Sequence, residues 1–216
     1  MPNPSPPPRD ASAASPAGRV DRRVQEFRAR VLTTAEELFT ERGIEATKID
    51  DICDAADVAK RTLCNHFPTK AHIVQALSRE AVSRMVARID DAREAGASTR
   101  ERVRILFEGF YSAEDASDDF EMGPVHREFV GAFFGAAHGT PDASAGEIRV
   151  SDAVQSLLAA GGPEQLPPGA SVETFAEVVL GSIYATTLEW VHRDDYDVAA
   201  RTSEVGRFLA SLLPEV

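Results

Sequence analysis

An all-α fold is predicted by three observations. Apolar residues recur at three- and four-residue spacing in every segment long enough to be an element. No segment alternates apolar and polar residues between hairpin-type turns. Helix-start residues, among them Thr47, Thr69, Ser98 and Pro124, stand before such periodic segments. Length and composition agree: 216 residues, 43% hydrophobic and 27% charged, describe a globular chain able to bury a core as one domain or two small ones. The longest uncharged stretches, 129–141 and 178–188, fall short of the ~20 apolar residues that span a bilayer, so no membrane partner is expected.

Residues 1–20 carry six of the thirteen prolines with Ser, Ala and Gly. This composition predicts a disordered tail, because it buries too little surface to offset the entropy of ordering. The tail lacks the apolar run of a secretory signal, and a cytoplasmic location is expected. The first helix is read from Asp21 to Arg42 with Gly43 at its C-cap, and Val24, Phe27, Val31, Ala35, Leu38 and Phe39 form its inner stripe. Arg9, Arg19, Arg22 and Arg23, near its start, resemble the arms with which DNA-binding domains enter a minor groove.

Residues 47–70, TKIDDICDAADVAKRTLCNHFPTK, read as two short helices joined by a tight turn. Thr47 is the expected N-cap, followed by an apolar face of Ile49, Ile52, Cys53 and Ala56. Asp57 stands at the turn, where a left-handed backbone is needed. The second helix must end by Phe67, since Pro68 disfavours a helical conformation before it. With Leu63 inward beside Ala59 and Phe67, Arg61 and Asn65 point directly away and Thr62 and Cys64 flank them. Arg, Thr and Asn on one short helix match the chemistry of base-edge and phosphate contact in a major groove. No acidic residue lies between Asp57 and Glu80, whereas Lys60, Arg61, Lys70 and Arg79 do.

Residues 28–74 resemble the DNA-binding domain of the tetracycline repressor (TetR) family along their whole length. The resemblance is carried by Leu38, Phe39, Glu41, Arg42 and Gly43, then Thr47 and Ile52, the turn Ala56-Asp57-Val58, and Thr62-Leu63, His66-Phe67 and Lys70. The family commonly has Gly where this chain has Asp57, a change of little cost if the left-handed conformation is kept, and Tyr where it has Cys64, a lost hydroxyl from which operator affinity or sequence is expected to differ. The DNA-contacting candidates are Arg28, Thr47, Lys48, Lys60, Arg61, Thr62, Cys64, Asn65, His66 and Lys70. The head is assigned to residues 21–69 and the helical body to 70–216.

In the body, a long helix capped by Thr69 is expected to run to about Asp91 or Arg93, joining head to body, with Ile73, Leu77, Val82, Met85, Val86 and Ile89 as its apolar positions. A capping-box pattern, Ser98 with Glu101, precedes a helix read over 102–113. Further helices are read over 124–138 and 144–160, with a loop at 161–171. Residues 172–193 form the most apolar helix, whose arc of roughly 200° is twice that of an ordinary surface helix. A last helix spans 198–213 with Val205, Phe208, Leu209 and Leu212 as its stripe.

The resemblance implies that the last two helices of each subunit form a four-helix dimer interface, here through Phe175, Val179, Ile183, Val205, Phe208, Leu209 and Leu212. Two heads related by a two-fold axis require a palindromic double-stranded operator. It also implies a cavity for a small effector between the body helices, lined by Phe107, Tyr111, Phe129, Phe133, Tyr184 and Trp190 with His126 as polar anchor; an apolar lining suits a lipophilic ligand. A metal- or redox-sensing repressor of the same fold is the alternative, with Cys64 as the redox candidate; His126 near Glu121 and Glu128, and His192 beside Asp194, are isolated pairs that read as solvated surface rather than as a metal site. A helical-bundle enzyme is disfavoured, since no glycine-rich phosphate loop or nucleophile elbow is found, and no cofactor or bound metal is expected. Residues 1–92 hold 14 Lys or Arg against 14 Asp or Glu, so the remainder carries the whole formal charge of -12. An acidic body is repelled by DNA, leaving the head to dock.

Overall fold

Helix α1, Pro16–Arg42, sets the frame for the head, and α2, Ile49–Ala55, and α3, Lys60–His66, pack beneath it. The computed structural model describes residues 16–109, 137, 149–193 and 195–215, and every element among them is helical. The first helix starts five residues before the expected Asp21, with Pro16 in a first turn where its missing N–H costs nothing. Gly43 ends it at φ 88°, its amide bonded to the Phe39 carbonyl at 2.9 Å.

The turn between α2 and α3 closes as a Schellman motif. The Val58 amide reaches the Cys53 carbonyl at 3.0 Å and the Asp57 amide reaches that of Asp54 at 3.4 Å, with Asp57 at φ 52°. Val31, Ala35, Leu38, Phe39, Ile52, Leu63 and Phe67 then form the head core. Two local expectations fail. Thr47 is not the cap of α2; the cap is Lys48, whose amide donates to the Asp51 carboxylate at 2.8 Å. Ala59 lies exposed, and Val58 packs against the core instead.

Helix α4, Lys70–Ala95, belongs to both parts of the molecule. Its 26 residues extend about 39 Å at 1.5 Å per residue. Ile73 and Leu77 lie in the head core, whereas Met85, Ile89 and Ala92 lie in the body core. Helix α5, Thr99–Glu108, begins three residues earlier and ends sooner than the 102–113 predicted. The Ser98 hydroxyl accepts from the Glu101 amide at 3.2 Å, while the Glu101 carboxylate accepts from the Ala97 amide at 2.9 Å, a capping arrangement one residue wider than the usual box.

Helix α6, Val150–Ala159, is followed by a 3-10 turn at Pro163–Gln165 inside the expected loop. The Gln165 side-chain oxygen accepts from both the amide and the hydroxyl of Thr99, at 2.7 and 2.9 Å, tying that turn to α5. Helices α7, Val172–His192, and α8, Val198–Ser211, match their predicted spans closely and are capped by Ser171 and Asp197. Helix α5 packs on α8, and α6 bridges α4 and α7. Their core holds Val103, Phe107, Val154, Leu157, Val179, Ile183, Leu209 and Leu213. Of the helix expected over 124–138, only Ala137 falls among the described residues, helical and buried in this core. Among the described residues no helix is long and apolar enough to cross a membrane.

Candidate nucleic-acid interface

Helix α3 is oriented by Leu63, which is 0% exposed, and by Phe67, which is 1% exposed. These anchors turn Lys60, Arg61, Thr62 and Asn65 to solvent and leave Cys64 and His66 half-buried, as the helical geometry requires. The far end of α3 is held by α1. The Phe27 and His66 rings lie 4.8 Å apart, and the Arg28 guanidinium stands 4.7 Å over the Phe67 ring. Arg28 thus packs against the end of α3.

The cations of this surface are not equally free. Lys60 pairs with Asp50 at 2.7 Å, both side chains exposed, and the hydrogen bond with Asp50, reinforced by its charge, raises the lysine above its ordinary value. Asp50 was not foreseen as its partner; the signal was present in the acidic first turn of α2. Lys48 and Arg61 are exposed. Lys70, expected to meet DNA, is turned inward and donates to the carbonyls of Ile44, Glu45 and Thr47. Thr47 is corrected likewise: it is 1% exposed, and its hydroxyl donates to the Leu38 and Gly43 carbonyls at 3.3 and 2.8 Å. Side chains so placed serve the packing between α1 and α2, and leave Lys48, Lys60, Arg61, Thr62 and Asn65 as the outward set.

Both cysteines are free, Cys53 buried and Cys64 half-buried. Burial, followed by the charge of Asp50, raises the Cys53 thiol above its ordinary value. Among the described residues no group of three His, Cys, Asp or Glu side chains is placed to hold a metal.

In the body the expected interface is corrected. Phe175, Val179, Ile183 and Leu209 are 4%, 0%, 2% and 2% exposed and lie in the chain's own core. Among the described residues the exposed large apolar side chains are Val178, Leu188, Phe208 and Leu212, with Val205 half-buried beside the core. Periodicity defined the wide arc on α7 without revealing which half faces inward. Val178 and Leu188, three turns apart on α7, share the outward face with Gly181 and Ala185.

Among the proposed effector contacts, Phe107 is 1% exposed and packs in the body core. Tyr184 is half-buried beside that core, its phenol raised above the usual value by burial, and Trp190 is half-buried. Tyr111, His126, Phe129 and Phe133 lie outside the described residues.

Comparison with known proteins places this geometry. The family model for bacterial regulatory proteins of the tetR family matches residues 31–77, which run from α1 into the first turns of α4. The transcriptional activator FasR of Mycolicibacterium smegmatis is 33% identical over 86 residues, 40% of this chain and 39% of the relative. The transcriptional repressor KstR2 of Mycobacterium tuberculosis is 34% identical over 95 residues, 44% of this chain and 48% of the relative. The alignments thus span about half or less of these relatives. Two solved structures share the fold over most of the chain. A TetR-family transcriptional regulator from Pectobacterium atrosepticum has a TM-score of 0.67 at 21% identity, covering 90% of this chain and 97% of that one. FadR from Bacillus subtilis, in complex with stearoyl-CoA, has a TM-score of 0.61 at 18% identity, covering 85% and 97%.

Proposed function

Because this chain belongs to the tetR family of bacterial regulatory proteins, we propose that it is a cytoplasmic homodimeric repressor, released from a palindromic operator by a small lipophilic effector. The observation that carries the DNA reading is the outward face of α3. Arg61, Thr62 and Asn65 project from a helix anchored by a fully buried leucine, next to exposed Lys48 and Lys60. Arg61 and Asn65 supply hydrogen-bond donors suited to guanine and adenine edges, with the lysines on phosphates.

Dimerisation is supported by the exposed Val178, Leu188, Phe208 and Leu212, an apolar set on the last two helices that one chain alone leaves in water. Pairing two copies there places two heads on one duplex, with half-sites one helical turn or a multiple apart. The lipophilic effector is supported by the acyl-CoA held by the structurally similar FadR and by the apolar composition of the body core. Such a ligand releases DNA only to the extent that it prefers a body conformation with unsuitably spaced heads.

The test is selection of bound duplexes from a random pool, followed by titration of the recovered sequence. Enrichment of a palindrome, lost for Arg61→Ala, is the expected result. Recovery of no preferred sequence refutes the assignment of α3.

A further inference from the structure

Four carboxylates stand beside the helix assigned to DNA. Asp50, Asp51 and Asp54 lie on α2 and Asp57 in the turn that follows, and all but Asp51 are exposed. Negative charge next to a docking surface repels phosphates, so its presence here calls for a reason. Asp51 accepts from the Lys48 amide at 2.8 Å. Asp50 reaches across to Lys60, the first residue of α3, with its Oδ1 2.7 Å from Nζ. The two side chains are 64% and 61% exposed. A pair held in water shifts an equilibrium by no more than about fivefold. That is too little to hold the head together and enough to decide where a flexible lysine points. An ammonium has three hydrogens to donate. Asp50 takes one, and the others remain for a phosphate or a base edge.

We propose that Asp50 is a positioning residue for specificity: its carboxylate tethers the Lys60 ammonium at the N-terminal end of α3, so that the lysine serves one docking register and not the backbone of any duplex. The inference rests on the assignment of α3 to DNA and names a determinant of its selectivity. An untethered lysine, on its four-carbon stem, follows phosphates in every register and adds to binding that is blind to sequence. A tethered one must leave Asp50 to do so. Only in the register that brings a phosphate or base edge to the tethered ammonium is the contact made with the ion pair intact.

Full-length parent, Asp50→Asn, Lys60→Met and the double variant are titrated with the duplex that the parent recovers from a random pool and with a shuffled duplex of equal length, across a salt series. In the parent background, Lys60→Met is expected to weaken binding to the recovered duplex only. Asp50→Asn is expected to raise affinity for the shuffled duplex by up to about fivefold per head and to steepen its slope of log affinity against log salt by about 0.9 per head. The recovered duplex gains less, so the ratio between the two falls. In the double variant both effects on the shuffled duplex disappear. Asp54→Asn removes a charge from the same helix without touching the pair, and should leave the ratio as in the parent. A ratio that falls as far for Asp54→Asn marks bulk charge and overturns the proposal. So does a loss of equal size on both duplexes for Lys60→Met, or a shuffled-duplex slope that Asp50→Asn leaves unchanged.

A second arm needs no DNA. Asp50 holds Lys60 above its ordinary value, which keeps the amine protonated and slow to acylate. Under limiting acylating reagent, with the sites read by peptide mapping, Asp50→Asn should speed labelling of Lys60 relative to Lys48. An unaltered ratio removes the tether even if the parent recovers no duplex, an outcome that on its own counts only against the assignment of α3.

Discussion

Gly206 lies in the middle of α8, where intrinsic propensity favours alanine by about 1 kcal/mol. The tertiary structure opposes it. A Cβ at this position would stand 2.3 Å from Cβ of Phe107 and 2.8 Å from its Cγ. Ordinary carbon contacts are about 3.5–4.0 Å, so α5 and α8 must separate by more than about 1 Å. Phe107 cannot rotate out of the way, because its Cβ is fixed by the α5 backbone, and its side chain is 1% exposed. Overpacking of this kind costs about 1–3 kcal/mol or more. Taking about 3 for a contact so close and setting about 1 of propensity against it leaves Gly206→Ala destabilised by about 2 kcal/mol. At about 2–4 °C per kcal/mol for a chain of this size, the melting temperature should fall by about 4–8 °C. Thermal unfolding followed by circular dichroism, parent and variant at one protein concentration, measures it directly. A variant that melts at or above the parent would falsify the close approach of α5 and α8.

Gly181→Ala meets the opposite situation, since nothing lies within 4 Å of the added Cβ in the single chain. It should stabilise an isolated chain by up to about 1 kcal/mol, yet weaken the dimer if α7 pairs there, which sedimentation across a dilution series would reveal. Phe208→Glu, at a side chain 62% exposed, should leave the helix content intact and shift the protein to monomer; a persistent dimer places the interface elsewhere. Asp57→Gly removes the strain of a non-glycine residue at φ 52° and should raise stability by about 0.5–1 kcal/mol, so an unchanged or lower denaturation midpoint contradicts the left-handed turn. Burial holds the Cys53 thiol above its usual value, so at pH 8 an alkylating reagent should label Cys64 first, and peptide mapping that finds Cys53 modified at an equal rate argues against its burial.

The head was legible because local signals agree there. Gly43, Asp57 and Pro68 are backbone punctuation whose effect is nearly independent of what packs around them, and they located three boundaries. Leu63 fixed the rotation of a two-turn helix, and with it the outward face of Arg61 and Asn65. The errors arose where one signal had two explanations. Thr47 before an apolar run reads as a cap, but it is also small enough to be swallowed by the connection, and its hydroxyl found carbonyls of α1 instead. Lys70 reads as a free cation until the carbonyls of residues 44, 45 and 47, more than twenty residues away in sequence, are brought to it. On α7, an apolar arc of roughly 200° cannot say which half one chain claims, and Phe175, Val179 and Ile183 went to its own core while Val178 and Leu188 were left outside.

The double allegiance of α4 bears on how the two parts of this protein can be exchanged or dissected. A recombinant head stopped at residue 69, the boundary expected from the sequence, is deprived of Ile73 and Leu77 and of the ammonium that closes its first connection. A workable graft onto a foreign body must carry the helix at least as far as Ser78, which is fully enclosed with its hydroxyl bonded back to Val74. The seam between head and body thus runs through the middle of a continuous rod, and any transplanted body must supply a rod in matching rotational phase.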